Sequence, residues 1–162
     1  MHQASLSRQL EAANFLVEQG ADVTTQAKNG WTALFSASQE GHVKVAQFLI
    51  ERGADATAQD KDGWTPLHEA SLSGQLEAAK FLVEQGADAT TQAKNGWTAL
   101  FSASGGGHVK VAQFLIEHGA DATAQDKDGW TPLHQASFKG HLELTKFLVE
   151  QGTDVTTQAK GG

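Results

Sequence analysis

Residues 62–94 read DGWTPLHEASLSGQLEAAKFLVEQGADATTQAK, and this 33-residue stretch recurs along the chain. A glycine followed by tryptophan marks each recurrence, at Gly30, Gly63, Gly96 and Gly129. A second period is twice as long, since residues 30–95 and 96–161 differ at only 12 of 66 positions. Self-similarity at a fixed period of this length indicates a repeat architecture, in which each unit packs on the next.

Each unit begins with turn and helix-start signals. Asp62-Gly63 predicts a turn, because glycine accepts the positive φ that such turns require. Thr65 followed by Pro66 is typical of an N-cap and the first helical residue, where the missing proline N–H costs nothing. The spacing therefore predicts a helix of roughly two turns that ends at Gly74.

A second helix is predicted from Leu76 to Gln85, and Gly86 stands where a left-handed C-cap residue is expected. Two such helices cannot stand alone, because isolated helices shorter than about 12 residues are marginal in water. Their apolar circumference requires neighbours on more than one side, which stacked copies supply. The sequence therefore predicts an all-α solenoid of stacked helix-turn-helix units, with hairpin-like turns projecting along one edge.

The motif G-x-T-P-L-H-x-A, at 63–70 and 129–136, resembles the ankyrin repeat, as do the 33-residue period, the internal glycine and the closing G-A-D. The resemblance covers the whole chain and implies a single ankyrin-repeat domain with β-hairpin-like turns. Met1–Ala4 aligns with Leu67–Ala70, so the first unit lacks its turn and helix start. The implied division is a partial repeat at 1–28 followed by repeats at 29–61, 62–94, 95–127 and 128–160.

Counting the complete repeats alone, the odd-numbered units (29–61 and 95–127) depart from this motif, because Ala-Leu-Phe replaces Pro-Leu-His at 33–35 and 99–101. In the ankyrin family that histidine helps to tie adjacent turns by hydrogen bonds. The resemblance therefore implies only apolar contact at Phe35 and Phe101.

Composition restricts the function classes. The formal charge of −7, from 12 Lys plus Arg against 19 Asp plus Glu, argues against nucleic acid as the main partner. No run approaches the ~18 apolar residues of a membrane span, and no secretory signal is visible. The chain has no cysteine, which excludes disulfides and thiol catalysis. We expect a cytoplasmic protein without a cofactor.

Catalytic and metal motifs are weak. Asp60, Asp62 and Glu69 match part of a calcium loop, but Ala58 stands at its first position. Of the seven histidines, His42, His108 and His141 occupy the same position in different units, which favours a structural role at the start of the second helix over a zinc site. The serines recur in the same way, so no nucleophile is singled out. Gly105–Gly107 lacks the context of a phosphate loop and predicts a shortened or frayed first helix.

The four tryptophans are the leading binding candidates. Each follows a turn glycine, so Trp31, Trp64, Trp97 and Trp130 are expected to form a ladder with a rung every ~10 Å. Tryptophan is enriched at interface hot spots. The alternative is that each ring braces the next turn, and both roles are compatible in one residue.

Differences between the two 66-residue copies indicate a surface that packing does not fix. Six of the twelve fall on the first helix or the turn after it, the surface that lines the concave groove in the ankyrin family. Large apolar residues there, Leu72 and Phe138, are expected to be exposed. The predicted partner-binding residues are Trp31, Trp64, Trp97, Trp130, Glu69, Leu72, Gln135, Phe138 and Lys139.

These features predict a non-catalytic scaffold that binds another protein through its concave groove and turn edge. Two alternatives stay open at this stage, a structural spacer within a larger protein and an engineered consensus-like scaffold. A hydrolase or metalloprotein is a more distant reading. Neither terminal unit resembles a polar cap, which predicts either a fragment of a longer array or self-association through the ends.

Overall fold

The computed structural model describes residues 2–153 and residue 156, with side chains from residue 9 onward. Residue 1 and the end of the predicted last repeat, at 154–155 and 157–162, lie outside this part of the chain. The described residues form nine α-helices and no β-strand. The helices are α1 (His2–Glu18), α2 (Ala33–Gln39), α3 (Val43–Glu51), α4 (Pro66–Leu72), α5 (Leu76–Glu84), α6 (Ala99–Gly106), α7 (Val109–Glu117), α8 (Pro132–Phe138) and α9 (Leu142–Glu150).

The helices form two layers. The first helices of the units, α2, α4, α6 and α8, pack on one another in chain order, and the second helices α3, α5, α7 and α9 do the same. Within each unit the two helices also pack together. This arrangement confirms the predicted all-α repeat solenoid.

Helix bounds in the 62–94 unit match the sequence signals. Thr65 is the N-cap of α4, and its side chain accepts a hydrogen bond from the backbone N–H of His68. Gly74 takes a φ of +71° at the bend between the helices, and Gly86 takes +97° after α5. The second helix ends at Glu84, one residue before the predicted Gln85.

Leucines at equivalent positions form the core between the layers. They are at most 7% exposed in every complete unit, so each depends on the neighbouring unit for its burial. On the first helices these are Leu34, Leu67, Leu100 and Leu133, and on the second helices Leu49, Leu82, Leu115 and Leu148.

Backbone hydrogen bonds join successive turns along the projecting edge. The amide of Lys61 donates to the carbonyl of Asn29 at 2.9 Å, and that of Lys94 donates to Asp62 at 2.8 Å. The next pair, Lys127 to Asn95, repeats the contact at 3.0 Å. The turn edge is thus a continuous strip whose register is set by the 33-residue period.

The glycine run at 105–107 does not shorten or fray the first helix, contrary to the sequence-based expectation. Helix α6 has 8 residues and includes Gly106, whereas α2 has 7. A Cβ on Gly106 would lie 2.4 Å from the backbone oxygen of Leu72 in α4. The missing side chain therefore allows α6 to continue against its neighbour.

The partial first unit contains one long helix where the other units have two. Arg8 occupies the position of Gly74, the residue that bends the chain with positive φ in the 62–94 unit. Non-glycine residues adopt that conformation at a cost of about 1–2 kcal/mol. Helix α1 consequently runs without a bend from His2 to Glu18 and packs on α3.

Substitutions at the two helical glycines of α6 are expected to have opposite effects. Gly106→Ala places a methyl against the Leu72 carbonyl oxygen and should lower the free energy of unfolding by about 1–3 kcal/mol. Gly105→Ala meets only the ends of the Gln135 and Leu72 side chains and gains helix propensity, so it should raise that energy by about 0.5 kcal/mol. Urea unfolding followed by circular dichroism measures both, and equal effects would contradict the close packing at Gly106.

Candidate functional site

The tryptophans lie along the turn edge and are all half-buried. The indole N–H of Trp31 donates to Asp60 Oδ2 of the next turn at 3.3 Å, and that of Trp97 donates to Asp126 at 3.2 Å. The acceptor position is aspartate at Asp60 and Asp126 but alanine at Ala93, the equivalent position for Trp64. Each tryptophan is therefore partly packed against the edge and partly accessible to solvent.

Odd-unit tryptophans also stack on the phenylalanines that replace histidine. The ring centroids of Trp31 and Phe35 are 5.7 Å apart, and those of Trp97 and Phe101 are 5.8 Å apart. Both phenylalanines are completely buried. Their role is apolar contact, as the resemblance implied.

The ladder is irregular in spacing. Trp64 and Trp97 are in direct contact, with ring centroids 6.0 Å apart and planes inclined by 39°. The uniform ~10 Å rung predicted from helix spacing is therefore wrong at this boundary. The two rings lean together and form one continuous aromatic surface across two units.

His68 ties its turn to the next unit. Its Nε2 donates to the backbone oxygen of Trp97 at 3.0 Å, while Nδ1 accepts from the backbone N–H of Thr65 at 3.1 Å. Because Nδ1 acts as an acceptor, the proton resides on Nε2. Burial lowers the pKa of His68, and the hydrogen bond to Trp97 partly opposes this effect.

The odd units lose this capping arrangement together with the histidine. Thr65 and Thr131 form reciprocal capping boxes with His68 and His134, whereas Thr98 has no side-chain capping bond. The hydroxyl oxygen of Thr98 is buried without a hydrogen-bond partner. In this unit the stacking of Trp97 on Phe101 takes the place of the histidine hydrogen bond. The hydroxyl of Thr98 is therefore left without a hydrogen-bond partner.

Glu69 and Gln135 are buried, which is unfavourable for the direct partner contact predicted for them. They are 6% and 7% exposed, because each side chain lies between successive first helices. Burial raises the pKa of Glu69, and the negative charge of Asp60 raises it further. The amide of Gln39 is 3.5 Å from the Glu69 carboxylate, a long contact that satisfies it poorly.

Leu72 and Phe138 occupy equivalent positions with different exposure. Leu72 is half-buried, contrary to expectation, because α6 packs beside it. Phe138 is 72% exposed, as predicted, and its ring meets Trp130 edge-on with centroids 5.4 Å apart. The Lys139 ammonium lies 5.8 Å from the centre of the Phe138 ring.

Phe138 and Lys139 line a groove of about 600 Å³ between α8 and the turns at 95–97 and 126–130. Trp97, Trp130 and Phe138 provide its apolar surface. Three charged residues that are not among the predicted partner-binding residues also line it, and for Asp126 the alternation of aspartate with alanine at this position of the repeat was the available signal. They are Asp126, Lys127 and Asp128.

Histidines at the start of the second helices make structural hydrogen bonds. His108 Nε2 is 3.0 Å from the Leu72 carbonyl oxygen, and His141 Nε2 is 2.9 Å from that of Gly105. His118 instead bonds the carbonyl oxygen of Phe114 through Nδ1. Among the described residues, no three His, Asp or Glu side chains come together as metal ligands would.

The partial calcium-loop motif and the serines serve the backbone. Asp60 Oδ1 accepts from the amides of Asp62 at 2.8 Å and Trp64 at 2.9 Å, which closes the turn. Ser38 and Ser104 donate to carbonyl oxygens four residues earlier in their own helices. Asp60, Ser38 and Ser104 thus stabilise local backbone structure, whereas the buried hydroxyls of Ser71 and Ser102 have no hydrogen-bond partner.

The chain was also compared with known proteins. A family model described as ankyrin repeats (three copies) matches residues 1–93 and 85–159. Comparison with curated protein sequences gives no match.

Glu69→Gln is expected to stabilise the protein, because it removes a poorly satisfied buried charge and reproduces Gln135. The gain should be about 1 kcal/mol at neutral pH. It should disappear as the pH falls below 4.5, the ordinary pKa of the carboxyl, since Glu69 is then protonated in both the folded and the unfolded state.

Urea unfolding of the parent and Glu69→Gln chains between pH 4 and 8 measures this effect. The reverse substitution, Gln135→Glu, is the matched control and should destabilise at neutral pH. A gain from Glu69→Gln that stays constant across this range would show that charge is not its cause.

Proposed function

The chain belongs to the ankyrin repeat family, and on that premise we propose that it is a non-catalytic scaffold that binds another protein through its concave groove and turn edge. Ankyrin repeats generally mediate protein–protein interaction. The observation that carries the proposal is Phe138, whose exposed ring stands beside Trp130 at the groove.

The groove has the composition of an interface hot spot. Aromatic anchors bury a large area with few rotamers to fix, and they act best when surrounded by groups that exclude water. Trp97 is held by Asp126 and Phe101, so its orientation is set before a partner arrives. Such pre-organisation limits the entropy lost on association.

The charge of the chain favours a protein partner over nucleic acid, since phosphate binding requires clustered cations. The formal charge is −7, and the groove carries both acidic and basic side chains. None of the helices within residues 2–153 combines the length and the apolar character that crossing a bilayer requires. A cytoplasmic location stays a prediction.

A structural spacer is the weaker alternative. A spacer needs no anchors, so buried tryptophans and a uniformly polar groove would favour it. Here all four indoles are half-buried and Phe138 is exposed. These features support binding.

Peptides selected from a displayed library against the 162-residue chain provide the test. Phe138→Ala should raise the Kd of selected peptides at least about tenfold, because it removes the central anchor. Leu142→Ala is the matched control, since Leu142 is similarly exposed, at 61%, but lies on the second helix. Its Kd values should equal those of the parent.

Selected peptides that bind the Phe138→Ala chain as tightly as the parent would refute this choice of surface. Equal loss in both variants would do the same. Because Phe138 is exposed, its replacement leaves the packed core intact, and unfolding curves verify that both variants are folded.

A further inference from the structure

The leading end of the stack carries an uncovered apolar groove. A cavity of about 490 Å³ lies between α1 on one side and α2 and α3 on the other. Leu16 and Val17 of α1 form one wall, and Ala33 and Ala37 of α2 form the other. It occupies the place that a first helix fills in every complete unit.

Side chains on the second half of α1 are more exposed than their equivalents in the complete units. Leu16 is 57% exposed, whereas its equivalents Leu49, Leu82 and Leu115 are at most 4% exposed. Phe15 is 59% exposed, against 8% for Phe48. The second helix of the leading unit is therefore present, but its covering helix is not packed on it.

Residues of α2 on the opposite wall of the groove are also more exposed than their equivalents in α6. Ser36 is exposed, whereas the equivalent Ser102 is 0% exposed. Ala33 is exposed, whereas the equivalent Ala99 is 1% exposed. One helix packed into the groove would cover both walls, as α4 packs on α5 of its own unit and on α6 of the next.

A segment of this chain has the sequence of that covering helix. Residues 2–5 read His-Gln-Ala-Ser, identical to residues 134–137 in α8, and Leu6 continues the match to Leu72 in α4. In α4 the corresponding Ala70 and Ser71 are completely buried. The segment therefore has the residues that fit this environment.

The backbone prevents the segment from covering its own groove. The equivalents of Arg8 are Gly41, Gly74, Gly107 and Gly140, all with φ between +71° and +76°. With arginine at that position the chain continues as α1 instead of turning back. Residues 2–7 thus extend along the axis of α1, away from the groove that Leu16 lines.

We propose that two copies of this chain exchange these segments, so that residues 2–7 of each copy fill the leading groove of the other. The two α1 helices then lie antiparallel about a two-fold axis. In this arrangement the first half of each covers the second half of its partner. In such an isologous exchange, a first-helix segment of one copy packs on the second helix of the other, as the two helices of every complete unit do within one copy. Exchange of an identical element is a low-cost route to dimers. This proposal is independent of the concave-groove function.

Light scattering on the eluate of a size-exclusion column tests the exchange on the 162-residue chain. We expect a species of twice the 17.2 kDa chain mass at micromolar concentration. Arg8→Gly restores the bend and should raise the dimer dissociation constant at least tenfold, because the segment then folds into its own groove. Arg8→Ala is the matched control, since it removes the same charge but keeps the helix, and it should remain dimeric.

A second pair of variants identifies the surface. Leu16→Glu places a charge in the leading groove and should give a monomer, and its 57% exposure means that folding is preserved. Leu142→Glu charges the opposite end and should leave the dimer intact. A strictly monomeric parent chain, a dimer unaffected by Arg8→Gly, or a dimer abolished only by Leu142→Glu would each overturn the proposal.

Discussion

Each helix pair in this protein is too short to bury its own leucines, so the helices must pack against neighbouring units. The rest of the structure depends on this requirement. Leu67 and Leu82 are almost completely buried in a unit that packs against neighbouring units. Contacts between neighbouring units therefore contribute to the free energy of burial as much as contacts within a unit do. Any change at a boundary acts on two units together, and an end without a neighbour exposes the same residues that the interior hides.

The boundaries alternate in chemistry with the 66-residue period. From an odd unit to the next even unit, the indole of Trp31 or Trp97 donates to Asp60 or Asp126. From an even unit to the next odd unit, His68 donates to the carbonyl oxygen of Trp97. The two unit types therefore differ in which of these hydrogen bonds joins them to the next turn.

Both terminal units expose large apolar side chains, whereas the interior units bury theirs, and the cause differs between the two ends. At the leading end Arg8 prevents the bend that would bring a covering helix back onto Leu16. At the trailing end Phe138 is the final residue of α8, and its exposed ring lies beside Trp130. All the large apolar side chains that are exposed among the described residues lie in these two terminal units. The exposed apolar surface of the described residues is therefore concentrated in these two units.

The sequence by itself determined the repeat, the order of the helices in the complete units, the helix bounds of the 62–94 unit to within about two residues, and the exposure of Phe138. These follow from local rules, since N-caps such as Thr65 and bends such as Gly74 act within a few residues. The tertiary structure alone decided that Glu69 is buried, that α6 runs through Gly106, and that the indoles of neighbouring turns touch. Each of these depends on the distance to an atom about 30 residues away in the chain, and the period of a sequence gives the order of neighbours but not their separation.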